Sequence, residues 1–373
     1  MSVPEDPNRN SPYGQQEPRR PSRWRGLARI AGGWWILLPI TAWLLAVAAM
    51  LEALPLPSSP QLPAAQTPII QLGGGPLLTP QAKDLRRQAV LPTPVPTVSP
   101  IKALVRNEGV PPVRNPRTAD PEPSTNRFIV VDGDSGAILY QRNAFETVAP
   151  ASLTKIMTAL LVIEEGNLND RVRVDVDAAS FPESAVMGLR ANTEVTLRDL
   201  LYGLVLASGN DAAVAIARHM TGGNGPAFMA KMNDKAAWLG LGSTHFENPH
   251  GFDDKEHYSS PADMVALARY SWQYPQFRQV VGTRSYEVRG PFDTQVLDNV
   301  NGILRAYPYA DGIKTGDTPE AGKCLVTTAL KDGHRVFVAF MRSQAGAVPD
   351  GMLLLDWAFN SHSWGPTSTP PNQ

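Results

Sequence analysis

The hydrophobic and polar positions divide the chain into segments of different character. Residues 1–29 are polar and end in a cluster of arginines, whereas the 22 residues of Ile30–Leu51 carry no charge. Residues 52–126 are rich in proline and have no periodic pattern. Beyond them, apolar residues recur at the spacings of strands and helices. We therefore expect one folded domain at 127–360 and a disordered tail at 361–373.

Within this domain the pattern predicts strands near both ends and helices in the middle. Asp332-Gly333 separates two runs rich in Val, Thr and Phe, which is a strong hairpin signal. We expect a mixed α/β fold of the α+β type, with an antiparallel sheet formed from both ends of the domain. The predicted strands are 128–131, 137–142, 324–330 and 335–341, and the predicted helices are 152–165, 197–206, 211–220, 260–270 and 353–359.

The uncharged segment Ile30–Leu51 is long enough to cross a membrane as a helix, which takes about 20 apolar residues. Arginines precede it, and positively charged flanks stay in the cytoplasm. We expect a single-pass signal anchor, with 1–29 as a cytoplasmic tail and the folded domain outside. The alternative is a cleaved signal peptide with Ala46-Val47-Ala48 as its cleavage site, although the apolar core of such a peptide is usually about 7–15 residues.

The segment 52–126 holds 16 of the 35 prolines of the chain. Proline lacks a backbone N–H donor and favours the extended polyproline II conformation. A segment of this composition has no packed core of its own. We therefore expect 52–126 to be a disordered linker between the membrane segment and the domain.

The charge balance and the single cysteine exclude several classes of protein. Lys and Arg total 34 against 35 for Asp and Glu, so the chain has no basic footprint for nucleic acid. Cys324 alone forms neither an intrachain disulfide nor a cysteine zinc cage, and we expect it in the core. His250, Asp253, Asp254 and His257 lack a standard ligand spacing. We therefore predict no metal site, no cofactor and no nucleic-acid partner.

Ser152-Leu153-Thr154-Lys155 is the first candidate for chemistry. Residues three apart on a helix lie on one face, so Ser152 and Lys155 should be neighbours. A serine hydroxyl becomes a nucleophile when a base takes its proton. A lysine is that base only when it is neutral, and burial together with the positive potential of a helix N-terminus favours the neutral amine.

Two further short motifs follow along the chain. Ser208-Gly209-Asn210 falls between two predicted helices, and its hydroxyl and amide can transfer a proton and bind a peptide group. Lys314-Thr315-Gly316 lies on a predicted strand, where Lys and Thr can hold a carboxylate and Gly lets a substrate backbone approach. Each motif alone is also typical of an ordinary helix start, turn or strand end. Their order and their spacings of 56 and 106 residues make the combination specific.

With these motifs the chain resembles the serine-type D-Ala-D-Ala carboxypeptidases, which are low-molecular-mass penicillin-binding proteins. The similarity also includes His250-Gly251-Phe252-Asp253 and runs from about Arg127 to Phe359. The resemblance implies a β-lactamase/transpeptidase-like fold. In that fold an antiparallel sheet of about five strands is flanked by helices, and a helical subdomain accompanies it.

The resemblance also implies a role for each motif residue. Ser152 would be the acylated nucleophile, Lys155 its proton acceptor and Ser208 a participant in proton transfer. A second set of side chains would bind the substrate. These are Lys314, Asn210 and Thr315.

The resemblance further implies an oxyanion hole and a set of partners. The oxyanion hole would use the backbone amides of Ser152 and Asp317, and Arg342 is the candidate to hold the terminal carboxylate of the substrate. The expected substrate is a peptidoglycan stem peptide ending in D-Ala-D-Ala, and β-lactams would be covalent inhibitors. The catalytic domain would lie on the outer side of a bacterial cell membrane.

Three alternatives stay open from the sequence. A DD-endopeptidase that cleaves peptidoglycan cross-links would use the same motifs. A class A β-lactamase on the same fold needs a Glu-x-x-Leu-Asn setting, whereas the comparable region here reads Phe246-Glu247-Asn248-Pro249-His250. A non-catalytic module that binds the cell wall would be expected to carry damaged motifs, and all three are intact.

Overall fold

The computed structural model describes residues 109–289 and 294–365. The predicted cytoplasmic tail 1–29, the predicted anchor at 30–51 and most of the predicted linker lie outside the described residues. Within the described ranges, every helix is too short or too polar to cross a membrane.

A five-stranded antiparallel sheet forms the centre of the domain. The early strands β2 (Arg127–Asp132) and β3 (Ile138–Arg142) pair with each other. The late strands β8 (Ala310–Thr318), β9 (Gly322–Lys331) and β10 (His334–Ser343) complete the sheet in the order β3-β2-β10-β9-β8. Both ends of the domain therefore build one sheet, which confirms the predicted fold class.

Helices cover both faces of this sheet. A short 3₁₀ turn (Ala151–Thr154) leads into α1 (Lys155–Glu165), which packs against several of the helices that follow it. The last helix of the described chain (Ala347–Ser361) covers the opposite face of the sheet. The helices after α1 are α2 (Leu197–Leu206), α3 (Asn210–Met220), α4 (Gly225–Leu239), α5 (Pro261–Ser271), α6 (Pro275–Gly282), α7 (Ile303–Ala306) and α8 (Ala347–Ser361).

Among the described residues, three small strand pairs lie outside the central sheet. The pair β4 (Arg171–Arg173) and β5 (Glu194–Thr196) precedes α2. The pair β6 (Ser285–Arg289) and β7 (Thr294–Asp298) follows α6. The two-residue strands β1 (Val113–Arg114) and β11 (His362–Ser363) join the two ends of the described chain.

The strand β10 shows why the sheet is buried on both faces. Phe337, Ala339 and Met341 pack with α1, α2 and α5, whereas alternate residues such as Val338 and Phe340 pack with α8. The helix α1 lies between the sheet and the other helices, and its residues from Lys155 to Val162 are all buried. Because this part of α1 is enclosed on every side, the polar group of its first residue is also shielded from water.

The hydrophobic pattern located most elements of the domain. The predicted strands and helices correspond to β2, β3, β9, β10, α1, α2, α3 and α5 to within about three residues, whereas the helix predicted at 353–359 covers only part of α8. The pattern did not identify α4, α6, α7 or the small strand pairs. In α4 only Phe228, Met232, Ala236 and Leu239 are buried, a narrow stripe that gives a weak periodic signal.

The predicted domain boundaries at 127 and 360 are wrong, because residues on both sides of them pack on the domain. β1 pairs with β11, and Trp357 Nε1 donates a 2.8 Å hydrogen bond to the carbonyl of Ala119. The Thr125 hydroxyl is buried and donates to the carbonyl of Met341. Beyond residue 360, Trp364 Nε1 donates to Asp132 at 2.7 Å. An extended proline-containing chain has no core of its own, but it can satisfy its polar groups on a neighbouring surface.

Candidate active site

Lys155 is the first residue of α1, and its side chain is completely buried. Ser152 lies on the 3₁₀ turn that leads into this helix and is half-buried. The three-residue spacing brings Lys155 Nζ to 2.9 Å from Ser152 Oγ. The neighbouring Ala151 has a positive φ of 49°, an uncommon conformation for a residue with a side chain. The predicted pairing of Ser152 with Lys155 is confirmed as a contact.

The other partners of the Lys155 amino group are both obligate acceptors. Nζ lies 2.7 Å from Asn210 Oδ1 and 2.6 Å from the backbone carbonyl of His250. A neutral amine has two N–H groups and one lone pair. If the two N–H groups donate to these two oxygens, the lone pair is left facing the Ser152 hydroxyl, the one partner with a proton to give.

The electrostatic surroundings of Lys155 favour its neutral form. Burial lowers its pKa well below the ordinary value, and the nearby charge of Lys314 lowers it further. The carboxylate of Asp211 acts in the opposite direction and raises it. Burial penalises the charged form of an amine because the lost hydration is not replaced. The net direction is the one that a base for Ser152 requires.

Ser208 and Asn210 lie in the break between α2 and α3, as predicted. Ser208 has a positive φ of 56° and is almost completely buried, and Asn210 is the first residue of α3. The Asp211 carboxylate beside them is also buried and supports this break. It accepts hydrogen bonds from four backbone amides, those of Met187, Gly188, Leu189 and Ala212.

Lys314 lies on β8, at the edge of the sheet, and reaches the same cluster. Its Nζ is 2.9 Å from Ser208 Oγ and 2.9 Å from the carbonyl of Thr315. Burial lowers the pKa of Lys314 to about 7. Near neutral pH a proton can therefore pass between this amine and its surroundings at little cost. Thr315 is half-buried on the same strand.

Gly316 and Gly251 bring backbone against the turn that carries Ser152. A Cβ on Gly316 would lie 2.9 Å from Ala151 Cβ and 3.1 Å from Ser152 N. A Cβ on Gly251, whose φ is 95°, would lie 1.9 Å from the carbonyl oxygen of Ala151. We predicted that Gly316 lets a substrate backbone approach; in the structure its close neighbour is the protein's own turn that carries Ser152.

This close approach matters for the predicted oxyanion hole. Two amides bind one oxygen only if their segments lie side by side, and a substituent on Gly316 would separate β8 from the turn. The predicted pairing of the Ser152 and Asp317 amides is therefore compatible with how β8 packs on the turn.

The comparisons with known proteins agree with this arrangement. Residues 115–345 match the family model described as D-alanyl-D-alanine carboxypeptidase. The chain belongs to the D-alanyl-D-alanine carboxypeptidase family.

Curated members of the family share about one third of their residues with this chain. It is 35% identical to the carboxypeptidase DacF of Bacillus subtilis, over 67% of this chain and 66% of that protein. It is 33% identical to DacA of Haemophilus influenzae, over 64% and 63%. It is 36% identical to DacB2 of Mycobacterium tuberculosis, over 64% and 84%. The matched region thus spans slightly less than two thirds of the first two relatives.

Solved structures confirm the β-lactamase/transpeptidase-like fold. The chain superimposes on the Streptomyces K15 DD-transpeptidase with a TM-score of 0.61 and 30% identity, over 65% of this chain and 100% of that one. It also matches an evolved putative penicillin-binding protein homolog from Mycobacterium tuberculosis, with a TM-score of 0.62 and 35% identity over 66% and 96%.

The sequence motifs assigned no role to the Asp211 carboxylate or to the backbone carbonyl of His250. The Asp211 carboxylate holds the segment at 187–189, and the His250 carbonyl is an acceptor for Lys155. A signal for Asp211 existed, because an acid in the first turn of a helix binds free amides well. A backbone acceptor leaves no trace in a motif based on side chains.

The acidic and histidine side chains near 250 make contacts within the protein. Asp253 accepts a hydrogen bond from Thr318, and His257 Nε2 lies 2.8 Å from Thr154 Oγ1. The Glu247 carboxylate lies 3.5 Å from His245 Nδ1, whose nearer partner is the backbone carbonyl of Glu256 at 2.8 Å. Arg342 lies 3.4 Å from the Glu320 carboxylate and lines a cleft of about 460 Å³.

We predict that Gly316→Ala slows acylation of Ser152 by a labelled penicillin about 100-fold, the usual cost of disturbing an oxyanion donor. The added methyl group must push β8 away from the turn that carries Ser152. The measurement is the rate of covalent labelling, with circular dichroism as the check on folding. The control is Gly242→Ala, where a Cβ would meet nothing within 4 Å. Wild-type labelling by Gly316→Ala would contradict the prediction.

We also predict a pH dependence of stability from Lys314. Its pKa falls from 10.5 to about 7 on folding. Between about pH 7 and pH 10 the unfolded chain holds a proton that the folded protein has released, so the free energy of unfolding rises with pH, by at most about 1.4 kcal/mol per unit. Lys314→Met removes this contribution, so its stability relative to wild type should fall as the pH rises.

Urea unfolding of both proteins at about pH 7.5 and about pH 9.5 measures this difference. The matched control is Lys255→Met, at an exposed lysine. A difference in stability between wild type and Lys314→Met that is the same at both pH values would show that Lys314 keeps its proton on folding.

Proposed function

We propose that this protein is a serine-type D-Ala-D-Ala carboxypeptidase that removes the terminal D-alanine from peptidoglycan stem peptides. The observation that carries the proposal is the contact of Ser152 Oγ with a buried Lys155 amine whose two other partners are obligate acceptors. In the neutral form that burial favours, that amine presents a lone pair to a hydroxyl group, which is the requirement for a serine nucleophile.

Acylation begins when Ser152 Oγ attacks the carbonyl carbon of the terminal D-Ala-D-Ala peptide bond. Lys155 Nζ takes the hydroxyl proton, and the amides of Ser152 and Asp317 stabilise the oxyanion of the tetrahedral intermediate. The C–N bond then breaks, and the leaving D-alanine amine takes up a proton. Ser208, which is hydrogen-bonded to Lys314, is placed to pass that proton to the amine.

Deacylation returns the enzyme to its starting state. A water molecule attacks the ester carbon, and Lys155 accepts one of its protons. The bond from Ser152 Oγ to the acyl group breaks, and Oγ recovers a proton. A penicillin enters by the same attack, but its opened ring stays attached, so the acyl-enzyme persists as an ester on Ser152.

Substrate binding uses the free edge of β8. In the described sheet β8 is an edge strand, so its outward backbone groups can pair with an extended peptide. Asn210 accepts from Lys155 through Oδ1, which leaves its NH₂ group to donate to a substrate carbonyl. Lys314 and Thr315, with Arg342 further along, supply cationic and hydroxyl groups for the terminal carboxylate.

Transfer of the acyl group to an amine is a second candidate function. The Streptomyces K15 structures that match this chain carry the name DD-transpeptidase. Transfer and hydrolysis share the acyl-enzyme and differ only in whether an amine or water attacks it. The ratio of the two products therefore has to be measured in the same experiment.

We predict that the full chain removes one alanine from a stem pentapeptide ending in D-Ala-D-Ala, as read from the product mass. With glycine present as an acceptor amine, transfer would instead replace the terminal alanine by glycine. Ser152→Ala should abolish both products, because the nucleophile is lost. The control is Ser180→Ala, at an exposed serine. An unchanged pentapeptide after incubation with folded wild-type protein would contradict the proposal.

We further propose that residues 30–51 anchor the protein in a bacterial cell membrane, with the catalytic domain outside. The support is the uncharged 22-residue segment and the arginines before it. The substrate supports the same location, because peptidoglycan lies outside the membrane.

The full chain should therefore resist extraction from membranes by alkaline carbonate, and its mature form should begin near Met1. A chain that lacks residues 1–51 is the control and should be extracted. A mature chain that starts just after Ala48 would establish a cleaved signal peptide and overturn the anchor. Full extraction of an uncleaved chain would overturn membrane insertion itself.

A further inference from the structure

The hydroxyl of Thr154 is buried behind the nucleophile and has two partners. Thr154 Oγ1 lies 2.8 Å from the carbonyl oxygen of Ala151 and 2.8 Å from His257 Nε2. The carbonyl of Ala151 and the N–H of Ser152 belong to the same peptide group. A hydrogen bond received by that carbonyl therefore acts directly on the amide that is proposed to bind the oxyanion.

The donor and the acceptor can be assigned for each hydrogen bond that links Thr154, His257 and their partners. The backbone N–H of Glu247 donates to His257 Nδ1 at 2.9 Å, so Nδ1 is an acceptor without a proton. Burial lowers the pKa of His257 to about 4, so the imidazole is neutral near pH 7. A neutral imidazole without a proton on Nδ1 carries it on Nε2, which must then donate to Thr154 Oγ1. The hydroxyl proton of Thr154 is left to donate to Ala151.

The result is a directed series of hydrogen bonds that ends at the oxyanion amide. It runs from the Glu247 amide through His257 and Thr154 to the Ala151–Ser152 peptide. Successive hydrogen bonds in one direction polarise each other, which makes the last donor stronger. The sequence motifs assigned no role in the reaction to Thr154 or His257.

The same peptide group is also held sterically. Gly251 lies so close that a Cβ there would be 1.9 Å from the Ala151 carbonyl oxygen, and Gly316 packs on the Ser152 side of the peptide. A donor that is fixed before the reaction needs no reorganisation when negative charge develops. The hydroxyl of Thr154 thus acts on a peptide that two glycines already confine.

We propose that Thr154 and His257 are positioning residues that orient and polarise the Ala151–Ser152 peptide, so that the Ser152 N–H binds the oxyanion more strongly. This inference rests on the proposed function, because it assumes that Ser152 is acylated. Neither side chain contacts the reacting atoms. Their contribution is to the acylation step and not to the initial binding of the substrate.

The decisive comparison is Thr154→Val with Thr154→Ser. Valine has nearly the shape of threonine but no hydroxyl, whereas serine keeps the hydroxyl. Stopped-flow reaction of the full chain with a reporter penicillin gives the dissociation constant of the initial complex and the acylation rate constant separately. We expect Thr154→Val to lower the rate constant about 10-fold, less than the loss of a whole donor, with a dissociation constant within about twofold of wild type. Thr154→Ser should retain most of the rate.

The matched control is Thr327→Val. Thr327 is equally buried and also donates to a backbone carbonyl, that of Gly312, but it is a residue of β9. Its variant should acylate at the wild-type rate. A loss in Thr327→Val equal to that in Thr154→Val would mean that any buried hydroxyl matters, and would overturn the proposal.

Variants of His257 test the second link. His257→Gln keeps an N–H donor and should retain more activity than His257→Leu. Combining His257→Leu with Thr154→Val should cause little further loss, since both break one series of bonds. If Thr154→Val does not fold, the two His257 variants decide the question by themselves.

Two further outcomes separate the inference from the function on which it rests. If folded wild-type protein is not acylated at all, the proposed function fails and this inference fails with it. If wild type is acylated and folded Thr154→Val reacts at the same rate, or loses only initial binding, the proposed function stands and the role of Thr154 is overturned.

Discussion

The burial of one amino group is the constraint on which this structure depends. Lys155 begins a helix that is buried from Lys155 to Val162, so its Nζ is shielded from water and lies against the three oxygens of Ser152, Asn210 and His250. A buried ammonium without a carboxylate partner is costly, and the protein meets that cost by favouring the free amine. The same burial that makes α1 the central helix of the fold therefore favours the neutral amine at its first residue.

Three distant parts of the chain are needed to build this environment. The break between α2 and α3 supplies Asn210, the segment before Gly251 supplies a carbonyl, and β8 supplies the second buried amine. Each part is held in place by purely structural contacts, such as the hydrogen bonds that Asp211 accepts from four backbone amides. The positive φ values of Ala151 and Ser208 lie at the same place, where the surrounding packing enforces an uncommon backbone.

The sequence was informative wherever the relevant geometry is local. The spacing of Ser152 and Lys155 on one helix predicted their contact, and the periodic pattern predicted the late hairpin and α1. The contact between Ser208 and Lys314 joins residues 106 apart, and here only the resemblance to a known family suggested a common site. Tertiary packing decides which backbone groups act as acceptors, such as the His250 carbonyl. It also decides where a close contact requires a glycine. Neither could be derived from residue types. The predicted boundary at 127 was wrong because composition shows only whether a segment can form its own core. It does not show whether that segment packs on a neighbouring domain.

The contacts at the two ends of the described chain have a mechanical consequence. A pull on the chain before Val113 is borne first by the short antiparallel pair with β11 and by the bond from Trp357 to Ala119. It would next reach the Thr125 bond to Met341, the residue immediately before Arg342 on β10. Tension applied at this end would therefore break these peripheral contacts before it reached α1, and the buried amine of Lys155 would stay undisturbed.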